Sequence, residues 1–221
     1  MQQGSATLSL NTLPLKRRSD LHLARKLWHA LGVLGMVLLH YLLTTDQTLR
    51  VMAVLAFVFV TVDVVRHQWP AINKFVLKIL GPLMREHERH NLAGTTYLIL
   101  GTFIIVWWFP SPIVSLSLLF LAVADPLASF VGILYGKDKL VGSKSLQGTL
   151  AAFIACTLIA FFYLLAHDLM TERLLMVSLL AGLSGALSEL LPIGRLDDNF
   201  TFPIVCACSL WAIFTVCGGL L

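Results

Sequence analysis

Residues 112–135 read PIVSLSLLFLAVADPLASFVGILY, an apolar run interrupted by one acid, Asp125, and leading straight into the polar stretch GKDKLVGSKSLQGT at 136–149. A helix needs about 20 predominantly apolar residues to cross the hydrocarbon of a bilayer. Comparable runs lie on both sides, at about 27–44, 49–66, 94–109, 147–166, 173–191 and 201–220. They predict an all-α fold: a polytopic membrane bundle of about seven transmembrane helices. Phe109-Pro110-Ser111-Pro112 separates the third run from the fourth, because a helix does not continue through such a proline pair.

Composition points the same way. The chain is 57% apolar and 13% charged, whereas a soluble domain carries roughly 25% charged residues. The net charge of +4 raises nucleic acid as a partner. The basic residues instead follow the flanks of the apolar runs, which is the positive-inside pattern of a protein whose partner is the lipid bilayer. With the N-terminus in the cytoplasm, only Arg50 and Arg173 fall on the opposite side. The first run follows Lys16, Arg17, Arg18, Arg25 and Lys26 and has no small-residue cleavage site, so it reads as a retained helix. Residues 1–24 read as a flexible cytoplasmic tail and 25–221 as one membrane-embedded catalytic domain. Cys156, Cys206, Cys208 and Cys217 sit in apolar segments as small packing residues.

Between the second and third runs the pattern changes. Trp69, Ile72, Phe75, Val76, Ile79, Leu80, Leu83 and Met84 recur at helical spacing, with Asn73, Lys74, Lys78 and Arg85 on the other face. This predicts an amphipathic helix lying on the cytoplasmic membrane surface. The charged run Arg85-Glu86-His87-Glu88-Arg89-His90 follows it.

Polar residues within the runs gather toward one leaflet. Arg25, Lys26 and His29 open the first helix; Asp63 and Arg66 close the second. Glu86 and Glu88 precede the third, Asp125 lies in the inner half of the fourth, Glu189 closes the sixth, and Asp197, Asp198 and Asn199 open the seventh. Lipid-buried charge is expensive, so an intramembrane acid such as Asp125 marks function. Beside it stand Gly136, Gly142 and Gly148, Lys137, Lys139 and Lys144, and Ser143, Ser145 and Thr149. Free backbone N–H groups and mobile positive charge are what phosphate binding requires. The spacing is not that of a Walker A loop, since five residues separate Gly136 from Gly142 and S-K-S follows.

These residues resemble the CTP-dependent lipid-alcohol kinases: dolichol kinase, phytol and farnesol kinase, and the fungal-type diacylglycerol kinase. The matching stretches are Arg25-Lys26 with His29, Arg85-Glu86 to Tyr97, Asp125-Pro126-x-Ala128-Ser129-x-x-Gly132, Gly136-Lys137 to Gly148-Thr149, and Leu191-Pro192 through Asp197-Asp198-Asn199 to Pro203. The resemblance implies phosphoryl transfer from CTP to a lipid hydroxyl with a divalent cation, Mg2+ or Ca2+. It also implies that Arg25, Lys26, Asp125 and Gly132 are essential. On that reading Arg25, Lys26, Lys137, Lys144 and the loop amides, with Asn199 nearby, cradle the triphosphate. Asp125 with Asp198 or Glu189 holds the cation, and Asp63 or Glu86 orients the hydroxyl. Such chemistry is mostly positioning and charge neutralisation. Two rivals have a poorer fit. A phosphatidate cytidylyltransferase would carry a D-R-x-D-S signature that is absent. A transporter would place its charges near the midplane, with internal repeats.

Overall fold

The computed structural model describes residues 23–80, 84, 88, 91–194 and 196–219, with side chains from Lys26 onward except at 79 and 80. The predicted tail up to residue 22, Arg85, Glu86, His87, Arg89 and His90, and the side chain of Arg25 lie outside the described residues. The elements are α1 (Leu23–Leu42), α2 (Thr45–Gln68), α3 (Pro70–Leu80), α4 (Gly94–Trp108) and α5 (Ser111–Tyr135), then strands β1 (Lys139–Val141) and β2 (Lys144–Ser145). There follow α6 (Leu146–Ala166), a 3-10 turn (Thr171–Arg173), α7 (Leu174–Leu190) and α8 (Asp198–Cys217).

The bundle is helical as expected, but its spans are not equivalent. Among the described residues five helices are long and apolar enough to cross a membrane: α2, α5, α6, α7 with its preceding turn, and α8. Two further apolar helices, Lys26–Leu42 and Gly94–Trp108, are shorter. The amphipathic helix is present as α3, and among the described residues the one sheet is the antiparallel hairpin β1–β2.

Several helices begin before their apolar runs do, for reasons of capping. The Thr44 side chain accepts from the Gln47 backbone N–H while the Gln47 side chain accepts from that of Thr44, so α2 starts at Thr45 through a polar first turn. Asp197 accepts from the Asn199 N–H and starts α8 at Asp198. Hydropathy is blind to such turns.

Helix α5 is the axis of the fold, packed against α1, α6, α7 and α8, with Val114, Leu118, Phe120, Leu121 and Ala124 buried. Helix α6 turns the stripe Gly148, Ala152, Cys156, Ala160 and Leu164 inward, one residue every four. Lipid tails are as apolar as leucine, so helices in a bilayer associate by close contact between small residues. A Cβ at Gly185 would lie 2.6 Å from Cys156 Sγ and 2.8 Å from Phe120, and one at Gly182 would strike Thr157. Large apolar side chains cover the outside, among them Phe57, Trp108, Phe162 and Val216. Exposed Trp28, Trp69 and Tyr135 mark one end of the bundle, and exposed Tyr41, Trp107 and Trp108 the other, as interfacial aromatic belts do. The protein is an integral membrane protein.

Candidate active site at one end of the bundle

Polar contacts bring together the start of α1, the end of α2, the start of α4, the inner half of α5, the hairpin, the end of α7 and the start of α8. The best-buried part is an ion pair. Arg66 is 1% exposed and Asp63 4%. Arg66 Nε donates to Asp63 Oδ1 at 2.5 Å, Nη2 donates to the carbonyls of Glu88 (2.9 Å) and Asn91 (2.6 Å), and Nη1 donates to Asn73 Oδ1 (3.3 Å). Asp63 Oδ2 accepts from the Ala93 N–H at 2.9 Å and the Thr96 hydroxyl at 2.5 Å. Ala93, the N-cap of α4, has no side-chain capping bond, so Asp63 satisfies orphan donors that would otherwise be buried. The sequence suggested Asp63 as a group orienting the hydroxyl. Its carboxylate is committed instead to fastening α2 to α4 and to the chain before it.

Beside this clamp lies a cavity of about 120 Å³ lined by Lys26 and His29 of α1, Glu88, Gly94 of α4, Asp125 of α5 and Asn199 of α8. Trp28, Met36 and Leu98 supply its apolar wall. Glycine is required at 94 by close approach: a Cβ would sit 2.7 Å from Asn199 Nδ2 and 3.2 Å from Glu88 Oε1. The Asn199 amide donates to the Gly94 carbonyl at 3.2 Å, joining α8 to α4.

A second group forms near Asp125. Lys144 Nζ donates to the Glu189 backbone carbonyl and stands 3.3 Å from Glu189 Oε1 and 3.6 Å from Asp198 Oδ2. The charges of Asp125 and Asp198 both act on Glu189. Asp125 therefore lines the cavity and also lies near the lysine–acid group. Among the described residues, no three His, Cys, Asp or Glu side chains converge closely enough to hold a metal unaided.

The glycine-rich loop is more closed than a phosphate cradle. Lys139 pairs with Ser145 and Val141 with Lys144. Gln147 Oε1 accepts from the Lys137 and Asp138 N–H groups, and Gln147 Nε2 donates to Asp138 Oδ2 at 2.8 Å. Ser145 caps α6 through the Gly148 N–H. A Cβ at Gly132 would lie 3.0 Å from Ser145 Oγ, one at Gly136 2.6 Å from the same atom, and one at Gly148 2.6 Å from the Ala128 carbonyl. These three glycines let the hairpin and α6 lie against α5. Gly142, at φ +55°, forms the exposed turn. Lys137 and Ser143 are exposed beside it, and the Thr149 hydroxyl is buried without a hydrogen-bond partner. Of the hairpin's cations, Lys144 is the one that reaches the acids.

The chain is 34% identical over 163 residues to CTP-dependent diacylglycerol kinase 1 of Schizosaccharomyces pombe, covering 69% of this chain and 75% of that protein. The chain belongs to the CTP-dependent lipid-alcohol kinase family. The Eremothecium gossypii protein of the same name is 34% identical over 205 residues, 83% of this chain and 64% of its own. A probable phytol kinase 2, chloroplastic, from Glycine max is 29% identical over 158 residues, 66% of this chain and 54% of that protein. No family model and no solved structure matches the chain.

For a kinase of this family, three features were missed by sequence reasoning. Glu88 lines the cavity and is 5% exposed, whereas the sequence favoured Glu86. Two acids two residues apart in a charged run look alike until the Arg66 bond to the Glu88 carbonyl fixes one of them. Gln147 braces the hairpin, with only its place in the first turn of α6 as a clue. Met36 and Leu98 line the site but read as ordinary membrane residues.

Proposed function

We propose that the protein transfers the γ-phosphoryl group of CTP to the hydroxyl of a membrane lipid, with diacylglycerol the acceptor that the relatives favour and phytol-like or dolichol-like alcohols as alternatives. The reading is carried by one observation: Asp125 lines a partly apolar cavity and lies near enough to a group made of one lysine and two acids for its charge to act on Glu189. That is the arrangement expected where a greasy alcohol meets a polyphosphate. The positive-inside pattern supports a site at the cytoplasmic leaflet, where nucleotides are available.

Asp125, Glu189 and Asp198 are hard oxygen donors of the kind that bind Mg2+ or Ca2+, and an Mg2+ site commonly uses one or two carboxylates plus substrate phosphates. They fit as a partial set that the nucleotide would complete. A cation held there would neutralise charge on the transferring oxygens. Lys144 already sits among these acids and would shift its bonds toward the phosphates as they enter. Lys26, across the cavity, would add positive charge from α1. The hairpin, braced by Gln147, holds Lys144 in reach.

The test is a donor–acceptor matrix with purified protein in lipid vesicles. CTP, ATP and GTP are each offered with diacylglycerol, phytol or dolichol. Labelled phospholipid with release of CDP is expected. Release of pyrophosphate would identify a cytidylyltransferase instead, and absence of any labelled lipid with every donor would overturn the reading.

A further inference from the structure

We infer that the cavity between α1, α4, α5 and α8 is the acceptor subsite, with the lipid hydroxyl held at Glu88 and the hydrocarbon leaving past Gly32. This rests on the kinase reading above and names the place where its second substrate binds. Most helix glycines of this bundle are jammed: at Gly94, Gly101, Gly136, Gly182 and Gly185 an added Cβ would crowd a neighbour, whereas Gly32 and Gly35 of α1 are open. Gly32 lines the cavity yet has nothing within 4 Å of an added Cβ. It is not there to let helices touch. Gly32 is exposed, next to exposed Trp28 and Leu31 on the lipid-facing side of α1, so the cavity opens sideways into the bilayer at that point.

The cavity has both polar and apolar lining: Lys26, Glu88, Asp125 and Asn199 share it with Met36, Leu98 and Trp28. An occupant must match both, which suits the head and first carbons of a lipid alcohol better than a nucleotide or a plain alkane. Glu88 is fixed from behind by the Arg66 bond to its carbonyl. Its Oε1 lies beside Gly94 at the start of α4, where the helix end favours an anion.

In the transfer, the acceptor oxygen bonds to the γ-phosphorus as the bond from that phosphorus to the β–γ bridging oxygen breaks. The bond's electron pair leaves with CDP, and the hydroxyl proton passes to the Glu88 carboxylate and then to solvent. Glu88 is thus a catalytic residue, and Gly32 determines which tails fit.

The experiment compares Gly32→Leu, Gly35→Leu and Glu88→Gln in vesicles. Gly35 also has nothing within 4 Å of an added Cβ, but it does not line the cavity, so it controls for bulk and helix propensity. Gly32→Leu should raise KM for diacylglycerol about tenfold or more and leave KM for CTP unchanged, while Gly35→Leu changes neither. Glu88→Gln should lower kcat by about 10²–10⁴-fold, the span of general-base catalysis, with both KM values retained. In the unmodified protein, a diacylglycerol bearing a photoreactive diazirine should label the segment around Gly32–Met36, and excess unlabelled diacylglycerol should compete. Labelling elsewhere, or equal KM shifts in both glycine variants, would overturn the assignment even where CTP-dependent phosphorylation of lipid is intact. Loss of phosphorylation in the unmodified protein would instead fell the kinase reading.

Discussion

The glycine hairpin and the Asp63–Arg66 clamp are the two unusual polar regions of this bundle, and they contrast sharply. The hairpin is the conspicuous one in sequence, yet most of its glycines and its Ser145 serve contact between helices. The clamp is two residues in an otherwise greasy helix, yet it anchors α3, the chain around Glu88 and the first turn of α4. Composition advertises a site loudly where a loop is polar. Position, in contrast, is set by buried pairs that composition hides.

The sharpest way to break this comparison is Asp125→Asn. It should lower turnover by at least about 10³-fold while the protein inserts and melts normally, a size expected where charge stabilisation dominates transfer. Substantial activity in that variant would remove the acid from the centre of the site. Next is Arg66→Met, which leaves the Asp63 charge buried and uncompensated. Breaking a buried pair from one side costs about 3–5 kcal/mol, so melting in detergent should fall steeply and activity with it. A variant that melts normally would mean that the clamp is not structural.

Lys144→Met should reduce kcat/KM for CTP by about 10²-fold, the scale of one lost charge contact in a transition state, with steady-state kinetics as the readout. Gly136→Ala should cost about 1–3 kcal/mol through overpacking against Ser145, with kcat per folded molecule retained. If kcat collapses without loss of stability, the glycine serves a ligand and the hairpin is a phosphate loop after all. The smallest effect belongs to Gly142→Ala, at positive φ and with nothing nearby: about 1 kcal/mol of backbone strain and unchanged kinetics.

Much of the scaffold was legible because hydropathy and proline positions respond to the bilayer directly. Helix α5, the Pro110 break and the surface helix α3 all follow from residue type. The start of α2 did not, since it depends on a side-chain cap at Thr44 that looks polar and therefore non-helical. At the site, the one-leaflet grouping of Lys26, Asp125, Glu189 and Asp198 follows from counting spans. Which acids share a face does not. That Lys144 reaches Glu189 and Asp198 while Lys137 is exposed depends on how the hairpin lies, which no pattern of glycines and lysines encodes. Gly32 and Gly136 look identical in a string of letters; only their neighbours tell an opening from a contact.

The gathering of Lys26, Asp125, Lys144, Glu189 and Asp198 at one rim carries a consequence for traffic across the bilayer. A neutral alcohol can change leaflets, but a lipid freshly given a phosphate carries charge that the hydrocarbon strongly resists. Each turnover therefore strands its product on the side where it was made. An enzyme shaped this way acts as a one-way valve, making the composition of one leaflet answer to the supply of nucleotide beside it.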